Sequence, residues 1–243
     1  MKKGRLSSGF VLFLFMACVQ KNADYIESIN FFEEKKMIVY PVALYHLFDT
    51  NAYFYIDEKT KHGFLIDPAA EADKLLEMIK KNGWTIEKIL ITHGHFDHIG
   101  AVDALHKALG IPYLIHKNGK EYLTNADYNL SLMTGEKITL NEAQYLNDGD
   151  VISLNAAPEV KLQVIHTPGH TTDSVIYLDK ENKIAFVGDT IFKQGFGRTD
   201  FPGGNMNALR HSISDIVLKL DDETKLYSGH SEETTVAAEK AFY

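Results

Sequence analysis

One run of seven residues, Thr92-His93-Gly94-His95-Phe96-Asp97-His98, constrains this chain more than any other stretch. It follows residues 88–92 (KILIT), whose aliphatic and β-branched content predicts a short buried strand. It precedes residues 97–109, whose spacing predicts a helix closed by Gly110. In extended backbone, side chains at i and i+2 point the same way, so His93 and His95 can converge on one ion. Gly94 removes bulk between them. Asp97 and His98 fall where the chain turns into the helix and can aim at a second ion beside the first. A lone histidine is usually a surface or satisfied core residue. Three histidines and an aspartate within six residues are hard to explain by packing, because a buried titratable group without a partner is costly. Imidazole and carboxylate suit Zn²⁺, and also Fe or Mn.

Composition narrows the choices further. There is one cysteine, Cys18, so an intrachain disulfide framework and a thiolate-rich zinc site are excluded. A metal site here has to be built from imidazole and carboxylate, and the eleven histidines all lie after residue 40. The 33 acidic and 25 basic residues give a net charge of −8. That balance argues against a nucleic-acid binder with a broad basic surface.

After Met37 the chain shows no repeat and no long linker. Residues 37–46, 52–56 and 63–67 read as strands, 71–82 as a helix, 112–116 as a strand and 118–125 as a short helix, with 126–142 irregular. Strands return at 150–154, 161–166, 174–178, 183–188 and 225–228, and helices at 205–220 and 232–242. This order predicts an α+β domain, two packed sheets covered by helices.

Three further loops end predicted strands and offer ligand-type residues beside a glycine: Gly169-His170, Gly188-Asp189 and Gly229-His230. Each alone is a common turn fragment. In this order, after the first motif, they form a pattern. His93, His95, Asp97, His98, His170, Asp189 and His230 together resemble the signature of the metallo-β-lactamase-fold hydrolases, over essentially all of residues 37–243. The stretch Gly195-Phe196-Gly197-Arg198-Thr199-Asp200-Phe201 is similar to the short, glyoxalase II-like (hydroxyacylglutathione hydrolase-like) branch, and persulfide dioxygenases carry a similar stretch.

The resemblance implies a single-domain αββα sandwich with metals at one edge between the sheets. It implies that His93, His95 and His170 hold a first ion, that Asp97, His98 and His230 hold a second, and that Asp189 bridges them. Two divalent transition-metal ions are therefore expected, zinc first, with Fe or Mn as alternatives. The expected activity is hydrolysis of thioesters of the S-2-hydroxyacylglutathione type by a metal-activated water, with Asp97 orienting that water and Arg198 binding a substrate carboxylate. The chain departs from glyoxalase II in two ways. Only thirteen residues follow His230, and Asp200 and Glu232 occupy positions where aromatic residues are expected. Two other readings stay open. One is a mono-iron persulfide dioxygenase using His93, His170 and Asp189. The other is a non-catalytic metal-binding scaffold, against which the unbroken ligand set speaks. Cysteine-ligand β-lactamases need a cysteine where Asp189 stands.

Residues 1–36 read as an N-terminal extension ahead of the hydrolase domain, 37–243. Lys2-Lys3-Gly4-Arg5 followed by the apolar residues 10–19 has the form of a secretory signal, ending near Cys18 as in a bacterial lipoprotein. The preferred reading is a misplaced start, with Met37 as the true first residue, which makes the protein cytoplasmic. The alternative, a translated signal, makes it exported or lipid-anchored through Cys18, and only then is a membrane a partner. The expected partner is otherwise a small acyl thioester.

Overall fold

The computed structural model describes residues 37–45 and 49–243. The signal-like leader, Cys18 and His46 lie outside the described residues. The first six strands are β1 (Met37–Tyr45), β2 (Asp49–Asp57), β3 (His62–Ile66), β4 (Thr85–Leu90), β5 (Tyr113–His116) and β6 (Gln144–Leu146), and they form one sheet in sequence order. The second sheet takes β7 (Val151–Ser153), β8 (Lys161–His166), β9 (Val175–Asp179), β10 (Ile184–Gly188), β11 (Lys225–Ser228) and β12 (Thr234–Thr235), again in sequence order.

The period-2 alternation of the strands builds the layers. Tyr53, Tyr55, Phe64, Ile66 and Leu90 of the first sheet point inward and meet Val164, Tyr177, Phe186 and Tyr227 of the second. Their neighbours Phe54, Ile56, Leu65 and Ile89 point outward onto helices α1 (Ala72–Asn82) and α3 (Val102–Leu109), through Leu75, Ile79, Val102 and Leu105. On the other side, Ile176, Ala185 and Val187 are covered by Leu209 of helix α5 (Met206–His211), by Ile213 and Val217, and by Val236 of helix α6 (Val236–Phe242). Two short helices, α2 (Phe96–Ile99) and α4 (Lys120–Thr124), complete the set. Three buried apolar layers between helix, sheet, sheet and helix are the αββα sandwich expected from the sequence.

Topology decides where the site falls. β8 and β9 are antiparallel, as are β9 and β10, while β10 and β11 are parallel. β8, β10 and β11 therefore run the same way, and their C-terminal loops open on one edge. The first sheet brings the end of β4 to that edge, where the Val175 N–H donates to Thr92 O at 2.9 Å and ties the two sheets together.

Two expected helices are interrupted. Residues 97–109 split into α2 and α3, because the Ala101 N–H donates to Pro68 O at 2.9 Å instead of continuing the helix. Residues 205–220 begin as α5 and widen into a π-helical turn (Ser212–Ile216) followed by a 3₁₀ turn. There the Ser212 hydroxyl donates to Pro168 O at 2.7 Å. A further strand, β6, pairs onto β5 in residues to which the sequence assigns no element.

Candidate metal centre

The seven predicted ligands come together at the shared edge. His93 and His95 leave the end of β4, and His170 follows β8. His93 Nε2, His95 Nδ1 and His170 Nε2 stand 3.0 to 3.2 Å from one another. His170 Nδ1 faces Arg198 O at 2.7 Å, and a carbonyl only accepts, so the proton sits on Nδ1 and the Nε2 lone pair points inward. Thr92 Oγ1 donates to Asp67 Oδ2 at 2.6 Å and so accepts from His93 Nδ1 at 3.2 Å, which turns the His93 Nε2 lone pair inward too. Bare nitrogen lone pairs this close repel unless a cation lies among them.

Beside this triad lies a second, made of Asp97 and His98 of α2 with His230, which follows β11. Asp97 Oδ2 stands 3.3 Å from His230 Nε2. His98 Nδ1 donates to Asp67 Oδ2 at 2.9 Å and His230 Nδ1 to Asp49 O at 2.8 Å, which fixes both rings. Asp189, at the end of β10, lies between the triads. Its Oδ1 is 3.4 Å from His98 Nε2, and its Oδ2 is 3.5 Å from His170 Nε2 and 3.3 Å from His230 Nε2. Three buried atoms here have no hydrogen-bond partner: His95 Nε2, His98 Nε2 and Asp189 Oδ1. Buried polar atoms are rarely left this way. Of these, His98 Nε2 and Asp189 Oδ1 face the cluster, and such orphaned donor atoms in a nitrogen–oxygen set fit divalent ions of the zinc, iron or manganese type.

The two triads differ electrostatically. Burial, then repulsion from neighbouring imidazoles, holds His93 well below its ordinary pKa and takes His95 down to about 3. Burial also lowers His170, against the pull of Asp189. These three are neutral at pH 7, as metal ligands must be. Burial opposes charge on His98 as well, but Asp189 and Asp67 overcome it and push that ring well up. His230 rises to about 10, since Asp189 and Asp97 outweigh burial. The carboxyl of Asp189 is held well below its usual range, because His230 and His98 outweigh burial. The carboxylates beside His98 and His230 thus favour a proton on these rings, which a metal ligand has to give up.

Residues the sequence reading missed support the ligands. Asp67 accepts from the Thr92 N–H at 2.7 Å, the Thr92 hydroxyl and His98, so one carboxylate orients both triads. Its signal was an acidic residue ending a strand, like the loops that were singled out. Asp173, fully buried, accepts from the Gly94 N–H at 3.0 Å and keeps its other oxygen unpartnered. Burial pushes its pKa up to about 7. Tyr122 explains Gly94, because a Cβ at that position would collide with Tyr122 Cβ. Gly229 has the same reason: a Cβ there would strike Asp189 Oδ1 and the His98 ring.

The remaining described histidines stay apart from the centre. His62 pairs with Glu87, His106 donates to Ile111 O near the end of α3, and His211 pairs with Asp215. His116 stacks on His166 at 4.2 Å, a packing contact between the sheets. Arg198 sits at the rim of a cavity of about 610 Å³ whose floor includes His95, Asp97, His170, Asp189 and His230. Its guanidinium forks onto Asp200, with both hydrogen bonds 2.6 Å, and lies 4.0 Å over the Phe201 ring.

An αββα sandwich with two adjoining histidine-rich triads and an aspartate between them at the sheet edge defines a metal-dependent hydrolase class. Residues 47–230 match the family model of the metallo-beta-lactamase superfamily, and the chain belongs to that family. It is 40% identical over 191 residues to the probable metallo-hydrolase YqgX of Bacillus subtilis, covering 78% of this chain and 89% of that one. It is 31% identical over 183 residues to the hydroxyacylglutathione hydrolase GloC of Haemophilus influenzae, covering 74% and 85%. Among solved structures it is similar to the BLEG-1 B3 metallo-beta-lactamase, with a TM-score of 0.79, 34% identity and coverage of 84% and 97%. It is also similar to ETHE1 of Myxococcus xanthus, with a TM-score of 0.66, 30% identity and coverage of 84% and 82%.

Proposed function

We propose that the protein hydrolyses acyl thioesters of the S-2-hydroxyacylglutathione type at a two-ion centre, with zinc as the ion. The observation that carries this reading is the second triad. Asp97, His98 and His230 stand assembled beside the triple-histidine pocket, with Asp189 between them. A mono-iron persulfide dioxygenase would use His93, His170 and Asp189 and leave the other retained ligands empty, so metal stoichiometry and oxygen uptake separate the two readings.

His93, His95 and His170 would hold one ion, Asp97, His98 and His230 the other, and Asp189 would reach both. Such ions supply Lewis acidity and lower the pKa of a bound water to roughly 7. The chain's own residues do the rest. Asp97, at the cavity floor, orients the attacking water and accepts its hydrogen bond. Water adds across the C–S bond, giving a carboxylic acid and a thiol. The thiol leaves without a strong acid because its pKa is roughly 8.5. Asp67 and Asp49 O keep the His98 and His230 rings from turning. Arg198 at the rim keeps donors free beyond its fork with Asp200, and these can meet a carboxylate of the thiol carrier.

The test is purified protein assayed for metal content, for thiol release from S-lactoylglutathione, and for oxygen uptake with glutathione persulfide. About two ions per chain with thiol release are expected. Oxygen uptake with one iron per chain and no thiol release would replace this reading with the dioxygenase.

A further inference from the structure

We propose that two apolar walls above the metal centre form an acyl-chain subsite, which favours 2-hydroxyacyl thioesters with a bulky apolar acyl group over the small lactoyl group. This inference rests on the thioesterase reading.

The first wall is Leu130 and Met133, from the segment read as irregular in the sequence. The second is Phe192 and Phe196, from the turn that leaves Asp189. Both face the cavity whose floor carries the ligands. Met133 is 71% exposed and Phe196 43% exposed, an arrangement water disfavours unless an apolar group covers it. A lactoyl group offers one methyl to these walls, and a phenyl or branched alkyl group offers several times that area.

Both walls are held in place by means that serve no visible purpose in the core. Leu130 sits at φ 69° and Gln194, at the tip of the second wall's turn, at φ 59°. Left-handed backbone is costly for a residue with a side chain and for a bulky one especially, and such conformations gather at ligand sites. The surroundings enforce each one. Buried Asn129 donates to Tyr122 O at 2.8 Å and Ile138 O at 2.9 Å and accepts from the Ser131 N–H, which fixes the bend at Leu130. The Phe96 N–H donates to Asn129 O at 2.9 Å, so this wall is tied to the residue between His95 and Asp97. On the other side, the Gln194 N–H donates to the buried carboxylate of Glu239 in α6 at 2.9 Å. The Lys193 N–H donates to Ser231 Oγ at 3.0 Å and the Tyr243 hydroxyl to Gly195 O at 2.7 Å. The residues after His230 thus brace the turn that presents Phe192 and Phe196, a rigid cleft suited to a flat or branched apolar group.

The experiment compares S-mandeloylglutathione with S-lactoylglutathione, which share the thiol and the 2-hydroxyl and differ by phenyl against methyl. Wild type should prefer the mandeloyl ester in kcat/KM by about tenfold or more. The mandeloyl-to-lactoyl ratio should fall about tenfold in Phe196→Ser and about fivefold in Met133→Ser, mainly through KM. Leu132→Ser, on an exposed neighbour that does not line the cavity, should keep the wild-type ratio. A wild-type preference for lactoyl, or a ratio indifferent to both wall variants, overturns the subsite. Binding of mandelate and lactate to the metal-loaded protein, followed by calorimetry, gives a readout apart from turnover. No thiol release from either ester, with mandelate still bound about tenfold tighter, would sink the thioesterase and leave the subsite standing. Equal binding of the two acids would sink the subsite.

Discussion

The two halves of the metal centre are built on opposite electrostatic plans. His93, His95 and His170 are buried, mutually repelling and neutral; the outer nitrogens of His93 and His170 lean on a hydroxyl and a backbone carbonyl, and that of His95 has no partner. Asp97, His98 and His230 carry opposite charges; His98 leans on the Asp67 carboxylate and His230 on the Asp49 carbonyl, and the His230 side chain is 24% exposed. A carboxylate stands behind each half, and the two differ in the same sense. Asp67 takes three donors, including His98, whereas Asp173 behind Gly94 accepts from the Gly94 N–H and keeps one oxygen without a partner. The first pocket binds by geometry already paid for in burial, and the second by charge that must first give up protons. The first ion should therefore be the tightly held one and the second the exchangeable one.

Removing a ligand from each half tests this most strongly. His170→Ala and His95→Ala should lose most bound metal and at least about 10³-fold in kcat/KM. His230→Ala should keep about one ion per chain by elemental analysis. Equal loss in all three would erase the distinction between the pockets. His106→Ala should match wild type, since that ring is engaged at the end of its own helix.

The next effect is on stability, through Asp173. Burial pushes its carboxyl up to about 7 in the fold, from an ordinary value of 3.8, because it disfavours the charged form. A group whose folded-state pKa is raised stabilises the fold when protonated. That contribution is whole below about pH 4 and is lost as pH rises through about 7. Asp173→Asn copies the protonated form without titrating. In urea unfolding of metal-loaded protein, it should match wild type near pH 4 and gain up to about 4 kcal/mol on it by pH 8. A difference independent of pH would mean that Asp173 is not the titrating group.

Asp67→Asn weakens the partner of His98 and should cost about 10- to 100-fold in metal affinity, chiefly at the second ion. Competition with a chelator would show the weaker ion leaving first. An affinity loss confined to the first ion would reverse the assignment. The smallest effect expected is Arg198→Ala, about tenfold in kcat/KM on a glutathione thioester and less on a carboxylate-free one. Its melting temperature should stay near wild type, because the exposed pair with Asp200 contributes only about 0–1 kcal/mol. Equal loss on both substrates would make Arg198 a residue that shapes the rim.

The candidate cluster was legible in the sequence because its logic is local. His93 and His95 share a face by the period of extended chain, and His170, Asp189 and His230 each sit where a predicted strand ends. The layers were legible too, since alternation in residues such as Tyr53, Phe54, Tyr55 and Ile56 assigns each to one core. What escaped is nonlocal. The break between α2 and α3 is made by Pro68, some thirty residues earlier. Asp67 reads as the last residue of a strand until Thr92 and His98 close on it. Nothing in the sequence marks Asp173, and only the packed structure shows that it is fully buried behind Gly94.

The seam between the sheets also has a consequence for how the molecule forms. Each sheet is made from a continuous half of the described chain, so each can assemble from near neighbours along the chain, and such contacts form quickly. The ligand sets draw on both halves: His93, His95, Asp97 and His98 come from the first, and His170, Asp189 and His230 from the second. Neither half alone can close a triad, so high-affinity capture of metal has to wait for the halves to dock. In refolding, the rate at which metal is taken up is therefore a clock for that last collision.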